Sequence, residues 1–435
     1  MPVSRTRVNA AYLLHDSGYS NGDDSVSMPR HRWYAVKESF SPHLVTRAIL
    51  ETGVAKNQVI CDPFCGSGTV PLVAASLGLR AVGFEVNPFL TFVARTKLRR
   101  AQPRVFGEFV ANVAESIHGR KHSPLETFST FGQANTRGRW LFNTAILRCF
   151  KEGYQACQEA TPSVRELAKL CLIAAAMDCC NAKRDGKCLR YRSGWKSAAN
   201  GKDEFLTALA DRGRAVAEDL FAMPLADCRS LVHHGDSRRA IDARSLPRFR
   251  LCITSPPYLN SFDYTDIYRP ELFLGGFLNG KTELKALRHK TVRSHVQVNW
   301  QRATRNDFGR HYSSSLSKVR AASEHLWDAR IPLMIQAYFE DIANVLTALR
   351  GRAASDAHLW LVVATSAYAG IEIPVDMIIA DIGEKVGWQL REIGLLRDLR
   401  SAGQHQNRAN GDGEDCVWLR ESVVIMEAAS SVCNR

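Results

Sequence analysis

The sequence predicts an α/β fold: a seven-stranded, mostly parallel, doubly wound sheet with helices on both faces and an inserted helical region. Three observations predict it. Residues 58–90, QVICDPFCGSGTVPLVAASLGLRAVGFEVNPFL, read as strand, glycine turn, helix, strand, half of a doubly wound unit. Strand patterns return at LVHHGD (231–236) and RLCITS (250–255). The chain then closes with the helix IPLMIQAYFEDIANVLTALR, the strand HLWLVVATS (358–366), the helix VDMIIADIGEKVGW and two strands near WQLREIGLL and RESVVIMEA (420–428).

Taken in order, residues 1–30 are polar and read as an N-terminal extension. They contain no signal-peptide core, so export is not expected. Residues 31–100 form the first core half, and Ser41-Pro42 supplies a cap followed by proline at the first helical position. Residues 101–229 read as a helical insertion carrying a basic loop, as in RWLFNTAILRCFKEGYQAC and KDEFLTALADRGRAVAEDLFAM. The core resumes over 230–280. Residues 281–325 are basic and without clear periodicity, and 326–435 complete the core.

The 435 residues carry a formal net charge of +13, with 45% apolar and 23% charged residues, ordinary for a soluble globular chain. No apolar run is long enough for a membrane span. Twelve cysteines include no CxxC pair, so neither a disulfide scaffold nor a zinc site is expected. His233-His234 has no further ligands nearby and reads as packing, and no metal is expected. Charge is concentrated. Segment 281–320 holds ten Lys/Arg against Glu283 and Asp307, with Trp300, Phe308 and Tyr312 interleaved. Segment 183–202 holds seven against Asp185, with Tyr191 and Trp195. Basic runs with aromatics point to nucleic acid. The candidate contacts are Arg190, Arg192, Lys285, Arg288 and Lys290.

The turn Asp62-Pro63-Phe64-Cys65-Gly66-Ser67-Gly68-Thr69 follows an apolar strand and opens a helix. Gly66 and Gly68 permit a tight turn and close approach of a ligand to backbone. Pro71 stands where a dinucleotide site has its third glycine, and Asp62 suits an ammonium better than a pyrophosphate. Glu85 lies where doubly wound folds place the acid that holds ribose hydroxyls. Asp236 ends the next strand, placed to accept from an adenine amino group. An ammonium, a ribose and an adenine are the parts of S-adenosylmethionine.

RLCITSPPYLN ends a strand on Ser255-Pro256-Pro257-Tyr258, a rigid corner that cannot continue a ladder. Together with the glycine turn, Thr254-Ser255-Pro256-Pro257-Tyr258 resembles the paired motifs of the exocyclic-amino DNA methyltransferases, and the serine resembles the cytosine-N4 subgroup. The resemblance covers roughly 31–100, 230–280 and 355–428. It implies a Rossmann-like class I methyltransferase fold, with S-adenosylmethionine held by Phe40, Ser41, Asp62, Phe64, Gly66, Gly68, Thr69, Glu85 and Asp236. It implies catalytic roles for Ser255, Pro256, Pro257 and Tyr258. A conjugated amino group is a poor nucleophile. Acceptors at Ser255 Oγ and the Pro256 carbonyl would restore its lone-pair density, while Tyr258 stacks on the base.

In duplex DNA the base must first be flipped out; single-stranded DNA presents it directly. The expected function is site-specific methylation of cytosine N4 in DNA, in the cytoplasm at the nucleoid, beside a partner restriction nuclease. The rivals are adenine-N6 methylation, amino methylation of RNA, and a catalytically silent nucleic-acid-binding subunit. Carbon-5 methylation is excluded, because that chemistry uses a Pro-Cys nucleophile and the chain has no Pro-Cys. The insertion splits the core before Asp236, which leaves no target-recognition domain identifiable by analogy. GGFLNGKT (275–282) matches a phosphate-loop pattern, but TDIYRPELFLGGF reads as a helix stopped at Gly275-Gly276, not as the strand such a loop needs.

Overall fold

The structure is a computed structural model that describes residues 8–9, 19, 22–36, 38–133, 138–185, 188–198, 200–225, 230–241, 246–399 and 417–429. The first core half runs α1 (Pro42–Thr52), β1 (Val59–Asp62), α2 (Thr69–Ser76), β2 (Arg80–Glu85) and α3 (Pro88–Lys97). Four longer helices follow, α4 (Pro103–Glu115), α5 (Thr144–Ala156), α6 (Pro162–Asp178) and α7 (Lys202–Ala222), with the hairpin β3 (Ala182–Asp185) and β4 (Cys188–Tyr191) between the last two. The core resumes with β5 (Leu231–His234), α8 (Ser237–Ala240), β6 (Phe249–Thr254), α9 (Tyr264–Ile267), α10 (Arg269–Leu274), α11 (Lys281–Arg288), α12 (Arg310–Ala321) and α13 (Ile331–Arg352). It ends with β7 (Ala353–Ala364), the hairpin β8 (Ser366–Tyr368) and β9 (Ile371–Ile373), then α14 (Val375–Lys385), β10 (Trp388–Leu399) and β11 (Leu419–Ala428).

The main sheet has seven strands in the order β10-β11-β7-β6-β1-β2-β5. β5, β2, β1, β6 and β7 are parallel neighbours, while β11 runs antiparallel to both β7 and β10. The seven-stranded, mostly parallel α/β expectation is therefore met. The strand order reverses between β1 and β6. A crevice opens at such a point outside the carboxyl ends of the strands, and those ends here are Asp62 and Thr254. β1 is buried along its whole length, as a central parallel strand covered on both faces must be.

Local chemistry explains the ends of these elements. Ser41 caps α1 by accepting from His43 N at 3.0 Å, with Pro42 at the first helical position. Gly68 has φ +87°, and a Cβ there would lie 2.8 Å from Ala94 Cβ, so α2 and α3 meet at a spot only glycine allows.

Two sequence readings need correction. The basic segment read as lacking periodicity forms α11 and α12, whose buried Leu284, Leu287, Tyr312, Leu316 and Val319 recur at helical spacing. Polar Lys, Arg and Ser residues between them hid the pattern. The basic loop of the insertion contains the hairpin β3–β4, whose Arg184 is driven into the interior. There Arg184 meets Glu271 of α10 and donates to Tyr34 Oη at 2.6 Å. The phosphate-loop pattern is a helix stop as expected: α10 ends at Gly275, Gly276 has φ +66°, and a new helix starts at Lys281. His233 stacks on Phe84 with centroids 5.4 Å apart, a packing role. Among the described residues no helix is long and apolar enough to cross a membrane.

Candidate active site

A cavity of about 370 Å³ occupies the crevice at the strand ends. That is within the roughly 300–1,000 Å³ range of ligand sites. One end is built from the β1–α2 turn and the tip of β2. Asp62 is buried, and its Oδ1 accepts from Thr254 Oγ1 at 2.6 Å and Phe64 N at 3.1 Å. Burial pushes its carboxyl up to about 7. Glu85 Oε2 accepts from Gly66 N at 2.9 Å and Oε1 from Asn87 N at 2.7 Å. Burial also raises Glu85 to about 7, against the pull of those amides. Gly66 has φ +50° and nothing within 4 Å of where a Cβ would stand, leaving the turn's backbone open to a ligand.

Phe40, Phe64, Thr69 and Asp236 also line this cavity. Asp236 caps α8, and Arg238 already holds both its oxygens, Nη2 to Oδ2 at 2.7 Å. Ser41 and Gly68 are not in the lining: the first caps α1 and bonds Asp24, the second packs against Ala94.

The other end is the corner after β6. Ser255, Pro256, Pro257 and Tyr258 all face the same cavity. The corner is held from behind by the β8–β9 hairpin. Ser366 Oγ donates to the Leu259 carbonyl, and so does Tyr368 Oη at 3.0 Å. Ser261 sits at φ +59°, a costly conformation for a non-glycine, and its N–H is held by the Ser294 carbonyl at 3.1 Å. The prolines alone do not fix this loop. Tyr258 Oη donates to Glu421 Oε1 on β11, and Arg397 of β10 donates to Glu421 Oε2 at 2.8 Å. Burial and the Glu421 charge hold the Tyr258 phenol well above its usual range, so it stays protonated. Tyr264 Oη receives the Tyr258 N–H at 3.5 Å, and its ring meets Phe262 edge to face at 4.5 Å.

Several lining residues escaped the sequence reading: Glu421, Arg397, Glu38, which accepts from Tyr268 Oη at 2.9 Å, and His295. Only Glu421 left a signal, an Arg-Glu pair just before the apolar run Val423–Met426. Arg397 and His295 come from segments far away in sequence, and Glu38, two residues before Phe40, left no signal of its own.

The nucleic-acid candidates separate. Lys285 is exposed on α11. Arg190 is exposed and pairs with Asp185 at 2.7 Å, and the exposed Arg192 donates to the Cys180 carbonyl at 2.9 Å. Lys290 lines the cavity. Arg288 is committed inside the protein, to Asp263 at 2.6 Å and Asp266 at 3.4 Å. Arg293 of the same segment is buried against Glu340 and Asp341. The interleaved Phe308 and Tyr312 are buried core residues, whereas Tyr191 and Trp195 form a half-buried pair 5.0 Å apart.

Comparison with known proteins finds similarity to methyltransferases. Residues 17–94 match the family model described as DNA methylase of the N6/N4 class. The chain is 27% identical over 428 residues to the type II methyltransferase M.AvaI of Nostoc sp., covering 90% of this chain and 86% of that protein. It is equally identical over 451 residues to M.BsoBI of Geobacillus stearothermophilus, covering 91% and 85%. Among solved structures, the rRNA methyltransferase aviRa of Streptomyces viridochromogenes aligns at 13% identity and TM-score 0.31 over 99% of this chain and 95% of that one. The matches imply S-adenosylmethionine as methyl donor. The cavity lining suits it: two buried carboxylates, Asp62 and Glu85, with an open glycine turn between them. The chain thus carries a DNA methylase match across its cofactor half and is similar over nine-tenths of its length to type II methyltransferases.

Proposed function

We propose that the protein methylates the N4 amino group of cytosine in DNA. The observation that carries this reading is the convergence of Ser255-Pro256-Pro257-Tyr258 and the carboxylates of Asp62 and Glu85 on one cavity. When bound, S-adenosylmethionine supplies an electrophilic methyl group. Asp62 would hold its ammonium and Glu85 its ribose, with Phe40, Phe64, Gly66, Thr69 and Asp236 shaping the rest. Ser255 Oγ and the Pro256 carbonyl would accept from the exocyclic amine and so keep lone-pair density on its nitrogen. Pro257 helps keep both acceptors aimed at little entropic cost. Tyr258 stacks on the base. Positioning of the amine by these groups would supply most of the rate. The extra proton on the methylated amine leaves to water.

The serine before Pro-Pro-Tyr supports cytosine over adenine, and the likeness to type II methyltransferases supports DNA over RNA and a paired restriction nuclease. Exposed Arg190, Arg192 and Lys285 serve as contacts to the DNA backbone. Lys290, at the cavity mouth, would meet the phosphate of the flipped nucleotide. The test is mass spectrometry of nucleosides from DNA and RNA incubated with the enzyme and labelled cofactor. N4-methylcytosine from DNA is expected. N6-methyladenine alone would move the target to adenine, labelled RNA alone would overturn the DNA assignment, and no product with intact cofactor binding would leave a binding subunit.

A further inference from the structure

A serine hydroxyl is ambivalent: it can accept from an amine, or it can turn its own proton toward it. The proposed chemistry needs only the first, and nothing in Ser255 itself enforces that choice. The surroundings do. Ser255 Oγ lies 3.5 Å from Tyr258 Oη in donor geometry. The Tyr258 proton is committed to Glu421, leaving the phenol oxygen free to accept. Glu421 is 2% exposed and fixed on its other oxygen by Arg397. The donors therefore run one way, from Ser255 to Tyr258 to Glu421, and end on a carboxyl group whose other oxygen is held by Arg397.

We infer that Glu421 and the Tyr258 hydroxyl are positioning groups that orient the Ser255 proton away from the substrate, so that only oxygen lone pairs face the base amine. This rests on the reading of Ser255 as amine acceptor and adds a second role for Tyr258, separate from stacking. It also gives a reason for a buried carboxylate on the last strand, remote in sequence from the corner. A hydroxyl turned the wrong way would set O–H against N–H and withdraw the acceptor when the nitrogen needs it. Aligned bonds ending on a charge are stronger than isolated ones.

The experiment is a pair of substitutions that separate orientation from stacking. Tyr258→Phe keeps the ring and removes the hydroxyl. In the Ser255 enzyme it should lower kcat about tenfold while changing KM for DNA less than twofold. Ser255→Asp installs a side chain that only accepts when ionised and needs no orientation, and in that background the loss from Tyr258→Phe should shrink to twofold or less. If Ser255→Asp has no measurable turnover, Ser255→Ala serves as the background under single-turnover conditions, and the loss should vanish there too, since no hydroxyl remains to orient. Equal losses in both backgrounds, or no loss in the Ser255 enzyme, overturn the inference. Full activity of Ser255→Ala alone would instead overturn the acceptor reading beneath it.

Discussion

The two ends of the cavity are built differently. The cofactor end comes almost wholly from residues 36–90, where a strand tip, a glycine turn and the next strand tip fall within one βαβ unit. The base end is assembled from Ser255–Thr265, Lys290–His295, Arg397 and Glu421, separated by up to 166 residues of chain. A local site is specified by spacing; a composite one is specified by the sheet order that brings β6, β10 and β11 together. The cofactor end therefore depends on neighbours in sequence, while the base end depends on contacts between distant segments.

The sharpest way to break that contrast is at the cofactor end. Glu85→Ala should weaken S-adenosylmethionine binding at least tenfold by calorimetry, because it removes the ribose acceptor and leaves the Gly66 and Asn87 amides unpaired. Asp62→Ala should do the same. Unchanged affinity in a folded Glu85→Ala protein would remove the cofactor assignment from this turn.

A second test uses the raised carboxyls. Asp62 titrates near 7 in the folded protein against about 4 unfolded, so between those values the folded state holds a proton the unfolded state has lost. Stability of the cofactor-free protein should then fall as pH rises through that window. A cationic ligand selects the ionised form, so cofactor affinity should climb as pH rises toward about 7 and level above it, with protons released on binding. The gain should stay within tenfold per pH unit. Asp62→Asn should remove its share of the pH dependence and leave that of Glu85. A profile unchanged by that substitution would place the titration elsewhere.

The smallest effect belongs to the outer surface. Lys285→Glu should leave cofactor affinity alone and reduce the slope of log affinity for DNA against log salt by about one. An unchanged slope would make α11 a solvated face. Arg288 is no equivalent probe: its guanidinium ties α9 to α11, and reversing it should lower thermal stability as well.

The same contrast explains what could be read from the sequence. Strand tips at Asp62, Glu85 and Thr254, the cap at Ser41-Pro42 and the stop at Gly275-Gly276 all show themselves within ten residues. The fold followed, because apolar strands and glycine turns are local signals. The role of Glu421 did not. Its partner Tyr258 lies 163 residues away and meets it only once β11 has inserted antiparallel beside β7. The basic stretch misled for a related reason. Charge reads as surface, yet Arg288 and Arg293 meet acids on α9 and α13 that no spacing announces. The prolines misled less: they end the strand, but the clamp on Leu259 comes from a hairpin more than a hundred residues downstream.

One bond carries a wider consequence. Thr254 donates to Asp62, joining the tips of two adjacent parallel strands at the reversal of strand order. If the methyl donor rests on one tip and the accepting base on the next, their separation is ruled by the spacing of the sheet itself, about 4.8 Å between neighbouring strands. Backbone hydrogen bonds of the ladder fix that spacing. Donor and acceptor would then be gauged against each other by the backbone ladder, as two jaws set on one bar, and recognition loops around them could vary without changing the gap across which the methyl group moves.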